Sequence, residues 1–168
     1  GILKSVQKVG DRQVLLNELR ADLVSINEEK AVIDVQELSR SVFNLNTNKY
    51  LDVKDYYSII NNCNIYLARV DTSLTRDNIK PMLREYVAVK SARAWTYMQL
   101  VLTYGEVPFY TEPLLSTDAI NSFINNPNHE TVNADNLLEK FEQKLVEMEK
   151  VEYEYGYPQY GMYGFKSI

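Results

Sequence analysis

The chain has 168 residues, a formal charge of −5 and 45% hydrophobic residues, which fits one globular domain with a real core and excludes a disordered chain. A single cysteine and a single histidine exclude an internal disulfide framework, a CxxC redox motif and a multi-cysteine metal site. Lys and Arg gather on no one segment, so the basic footprint of a nucleic-acid binder is missing.

In chain order, Arg12 to Val24 places Leu15, Leu16, Leu19 and Leu23 on a helical stripe, and a helix is predicted there. A short second helix is predicted over Val35 to Phe43, ended by the Asn-rich run Asn44 to Asn48, with a loop over residues 44–52. From Val53 to Val70, the residues Tyr56, Ile60, Cys63 and Leu67 recur at helical spacing, which predicts an amphipathic helix with Cys63 in its buried seam.

The next helix has the clearest boundaries. Asp77 is a candidate cap, Pro81 sits in the first turn where a missing amide hydrogen matters least, and Gly105 and Pro108 stop it. Its second half confines polar groups to Arg93, Thr96, Gln99 and Thr103 and is otherwise apolar, so it must be covered on several sides. The short connection around Asp71 to Thr75 predicts that these two helices fold back as an αα-hairpin.

Val107 to Pro113 reads as an extended exit, because each proline disfavours helical angles in the residue before it. Thr117 to Thr131 holds at most a short turn of helix and is mostly loop, and a last helix is predicted from Asn133 to Glu152. It runs into a Gly- and Tyr-rich tail from Tyr153 to Phe165, for which structural packing is favoured over sugar stacking. No apolar run is long enough to cross a bilayer, and residues 1–10 lack the basic-then-apolar pattern of a secretion signal.

Nothing in this pattern points to chemistry. His129 lies in an Asn- and Pro-rich loop with no second imidazole and reads as a solvated loop residue; Cys63 reads as a small buried hydrophobe. The carboxylate pairs Glu28/Glu29, Glu147/Glu149 and Glu152/Glu154 stand on adjacent or alternate positions, where they do not face each other across a cleft. No Gly-rich phosphate loop occurs, and no cofactor is implied.

Tyr56 to Leu67 (YYSIINNCNIYL) and Val89 to Pro113 (VKSARAWTYMQLVLTYGEVPFYTEP) resemble the paired-helix signature of the SusD/RagB family of surface glycan-binding lipoproteins of the Bacteroidetes. The second segment matches at Ala92, Arg93, Ala94, Tyr97, Leu100, Tyr104, Gly105, Val107 and Pro108. The resemblance implies an all-α fold of tetratricopeptide-like antiparallel helical hairpins. Residues 1–168 would be the N-terminal helical domain of a larger, mainly α SusD-like protein whose C-terminal half is not in this sequence.

It further implies a non-catalytic component of a SusCD-like uptake system that binds a glycan or oligosaccharide. Such a protein is a lipoprotein at the outer-membrane surface, held by an N-terminal lipid that this chain does not display, and its partner is a SusC-like TonB-dependent transporter. Family binding sites draw partly on loops before the first repeat helix, which implicates Phe43, Asn44 and Tyr50, with Arg20 and Asp22 as polar neighbours. A structural ion pair between Arg20 and Asp22 is the competing expectation. The competing function is a helical-repeat adaptor that binds a protein or peptide partner.

Overall fold

The computed structural model describes residues 1–40, 47–75 and 80–141, and the chain forms two compact units, Gly1–Ile59 and Ile60–Ile168. The fold class is all-α: helices make up the described residues apart from connections and one pair of two-residue strands.

In the first unit, helix α1 spans Ile2–Arg20 and buries Val9, Gln13, Leu16 and Leu19. The helix starts ten residues before the expected Arg12, because Ile2 and Val6 are partly buried and extend the same stripe upstream. Gly10 lies inside it; an internal glycine costs a helix only about 1 kcal/mol, too little to break one that buries a full face. At the other end α1 stops short of Val24. Asp22 takes a left-handed φ of 55°, while Asp22 N–H donates to Leu19 O at 3.4 Å and Leu23 N–H to Glu18 O at 3.0 Å. That pairing is a Schellman cap, and it turns Leu23 out to 72% exposure.

Helix α2 (Ile33–Ser39) begins two residues earlier than expected and buries Leu38; the expected part from residue 41 onward lies outside the described residues. Within the expected loop, Lys49–Leu51 forms a 3-10 turn. Asn48, 2% exposed, organises it: its Oδ1 accepts from Tyr50 N–H at 3.1 Å and its amide donates to Asp34 O at 2.9 Å and Glu37 Oε2 at 3.2 Å. The core of this unit is Leu16, Leu19, Leu38 and Leu51, with Leu15, Ile26, Val35 and Tyr50 packed around it.

Helix α3 (Lys54–Arg69) begins in the first unit and continues into the second. Tyr56, Ile60 and Cys63 are buried as the spacing predicts, together with Ile59 and Asn64. Helix α4 (Pro81–Tyr104) has Pro81 in its first turn, but its N-terminal flanking residue is Lys80; the expected cap Asp77 lies outside the described residues.

The polar line of α4 turns inward. Arg93, Thr96 and Gln99 are 6%, 0% and 8% exposed, whereas Leu102, from the apolar side, is 66% exposed. Beyond Gly105, strand β1 (Val107–Pro108) pairs antiparallel with β2 (Thr131–Val132), Val107 opposite Val132. Between them, where a short turn of helix within a loop is expected, helix α5 runs over two turns (Thr117–Ile124), capped by Ser116 Oγ accepting from Ala119 N–H at 3.1 Å. Residues 134–141 form helix α6, entered through reciprocal bonds in which Asn133 N–H donates to Asn136 Oδ1 at 2.8 Å and Asn136 N–H donates to Asn133 Oδ1 at 3.1 Å. The remainder of the predicted last helix and the tyrosine tail lie outside the described residues. Tyr97, Phe109 and Phe141 form the aromatic centre of this unit, with ring centroids 4.9 to 6.1 Å apart.

Candidate functional site

In the first unit α1, the 3-10 turn and the start of α3 enclose an open cleft of about 470 Å³, within the size range of small-molecule sites. Arg12 is its structural post. Its side chain is 10% exposed, donates to Asp52 O at 3.1 Å and Lys49 O at 3.4 Å, and stacks 4.9 Å from the Tyr56 ring centroid. Asp55 receives both Arg12 at 3.4 Å and Lys8 at 3.0 Å, and Lys49 pairs with Asp34 at 3.4 Å while lying over the Tyr50 ring. Each cation on the wall thus contacts a carboxylate, Lys8 and Arg12 sharing Asp55, and the remaining lining is Leu15, the acidic Asp11 and Tyr50. Such a surface suits stacking and hydrogen bonding of a polar, uncharged ligand.

Of the five expected binding residues, Tyr50 lines this cleft. Arg20 and Asp22 are exposed at the C-terminal end of α1 and do not line it; no ion pair joins them among the described residues, and Asp22 serves the helix cap through its backbone. Phe43 and Asn44 lie outside the described residues. Lys8, Arg12 and Asp55 carried no sequence signal, since each looks like an ordinary helix-surface charge until two segments about forty positions apart meet.

The second unit holds a buried polar lattice that also escaped the sequence. Arg93 of α4 donates to Asn64 Oδ1 of α3 at 2.6 Å, so the two helices are joined by a charge-assisted bond. The Asn64 amide in turn donates to Tyr110 O at 3.4 Å and Glu112 O at 3.3 Å. One turn earlier, Asn61 both donates to Leu114 O and accepts from Leu114 N–H, each at 2.8 Å. The Tyr97 hydroxyl donates to Tyr110 O at 2.9 Å and accepts from Tyr110 N–H at 3.0 Å. Asn61, Asn64 and Tyr97 thus bind the extended segment after β1 as a strand would, with Arg93 holding Asn64 in place. Burial pulls the Arg93 guanidinium below its ordinary pKa, and pushes the Cys63 thiol up to about 11, which keeps it protonated and unreactive at neutral pH.

His129 is half-buried rather than solvated, with its ring 5.5 Å from that of Phe123. Among the described residues no group of His, Cys, Asp and Glu is arranged to hold a metal ion, and no helix is long and apolar enough to cross a membrane.

Over 94 residues the chain is 36% identical to a SusD-like protein of Formosa agariphila. The similarity is thus to a SusD-like protein. The matched residues are 54% of this chain and span 15% of the relative's length. No protein-family profile matches the chain, and no solved structure matches it.

Proposed function

We propose that the chain is the helical part of a SusD/RagB-type nutrient-binding protein, which holds a glycan or oligosaccharide at the outer-membrane surface for a SusC-like TonB-dependent transporter and does no chemistry on it. The observation that carries this reading is the 36% identity to a SusD-like protein. The cleft beside Tyr50 supports it: an aromatic side chain among cations that already contact carboxylates favours a neutral, hydroxyl-rich ligand over an anionic one. The buried Asn64–Arg93 bond supports a rigid helical platform, the form suited to seating on a large partner.

Affinity electrophoresis through gels containing neutral polysaccharides tests the ligand class. Retardation by at least one polysaccharide is expected, and retention by peptides alone would reverse the choice. Capture from detergent-solubilised outer membranes tests the partner: a TonB-dependent transporter is expected to dominate. A soluble partner in its place would favour a helical adaptor.

A further inference from the structure

Tyr50 is half-buried and reaches the cleft from a turn too short to hold itself. Residues 49–51 make one 3-10 turn, closed by Leu51 N–H donating to Asn48 O at 3.0 Å, and such turns have poorer hydrogen-bond geometry than an α-helix. The place of the turn is therefore set from outside. On the α2 side the Asn48 amide donates to Asp34 O and Glu37 Oε2 at 2.9 and 3.2 Å. On the α1 side Arg12 grips both ends, Nη1 donating to Lys49 O at 3.4 Å and Nη2 to Asp52 O at 3.1 Å.

The guanidinium is itself fixed before it reaches the turn. Its side chain is 10% exposed, its central carbon lies 4.9 Å from the Tyr56 ring centroid, and Nη1 also faces Asp55 Oδ2 at 3.4 Å. Asp55 is held in its turn by Lys8 at 3.0 Å. A planar arginine fork can bond two carbonyls from one position while stacked on a ring; the compact ammonium of a lysine cannot. A ligand that meets a turn already ordered is spared the entropy of ordering it.

We propose that Arg12 is the positioning residue of the cleft: it acts on the ligand through Tyr50, by holding residues 49–52 in the shape that presents the ring. This inference rests on the nutrient-binding reading for the ligand and on the Arg12 geometry for the mechanism.

The test is Arg12→Lys in the full chain, which keeps the charge and removes the fork. Two readouts are needed: amide exchange by NMR, and calorimetry with maltohexaose, cellohexaose, xylohexaose and laminarihexaose as separate probes. Exchange at the Tyr50 and Leu51 amides is expected to quicken about tenfold or more, with the Leu16 and Leu19 amides of α1 unchanged. For a hexaose that binds the wild-type chain, affinity should fall about fivefold, and saturating hexaose should slow Tyr50 exchange in the variant back toward the wild-type rate. A purely structural role would not give that return. Wild-type exchange at Tyr50, wild-type affinity, or equal acceleration of the α1 amides would each overturn the positioning role and leave the nutrient-binding reading standing. Absence of binding by the wild-type chain to every hexaose would overturn both.

Discussion

At Asn64 one amide side chain serves two helices and a strap. It accepts from the buried Arg93 guanidinium and donates to the carbonyls of Tyr110 and Glu112. Asn64→Ala therefore leaves a buried cation without this acceptor and removes the donor from two backbone carbonyls. The expected loss is about 2–3 kcal/mol of unfolding free energy by urea titration; a loss under ~0.5 kcal/mol, the usual range for surface changes, would show that the lattice carries little. Cys63, one residue earlier, sets a pH dependence. Burial raises its pKa from 9.0 to about 11, so between those values the folded chain holds a proton that the unfolded chain has lost. The contribution of the neutral thiol is fully present below the unfolded value and disappears as pH rises through the folded one. Stability should therefore fall across that interval, and Cys63→Ala should flatten the slope. An equal slope in the variant would assign the alkaline loss elsewhere, for instance to Tyr110, whose hydroxyl burial pushes up to about 12.

At the scale of elements, the end of α4 depends on Gly105. Its φ of 80° with ψ −119° is open to glycine and strained for any L side chain, although a Cβ there would meet nothing within 4 Å. Gly105→Ala should thus cost about 1–3 kcal/mol through backbone strain alone, measured as a shift in the urea midpoint with an unchanged m-value. No shift would mean the turn relaxes into another conformation. The positions of α3 and α4 were legible because apolar spacing and the Pro81 and Gly105 signals are local. The inward turn of Arg93, Thr96 and Gln99 was not, because polar residues bury only when partners satisfy them. Arg93 finds its partner Asn64 twenty-nine positions away, while Thr96 solves the problem locally by donating to Ala92 O at 2.7 Å. The early start of α1 was missed because the leucine stripe begins at Leu15, whereas Val9 and Gln13 upstream of it are also buried. The full length of helix α5 was hidden by the Asn and Pro residues that follow it at 125–128, although Ser116 is an ordinary N-cap residue.

For the molecule as a whole, Tyr50 was reached through the family resemblance, whose sites draw on loops before the first repeat helix, whereas the cleft around it needs Lys8, Arg12 and Asp55 from separate helices, and no local pattern brings those together. Phe123 and His129 stood in a segment read as mostly loop, and only their packing on Tyr110 and Asn126 shows them half-buried. The cleft beside Tyr50, whose cations already contact carboxylates, is the surface on which the proposed holding of a neutral ligand without chemistry rests. Calorimetric titration of the chain with a panel of neutral polysaccharides, followed by mass spectrometry of the recovered ligand, tests this most directly. Saturable heat with at least one polysaccharide and a ligand of unchanged mass is the predicted result; heat with none of them, or shortened products in the recovered ligand, would contradict it.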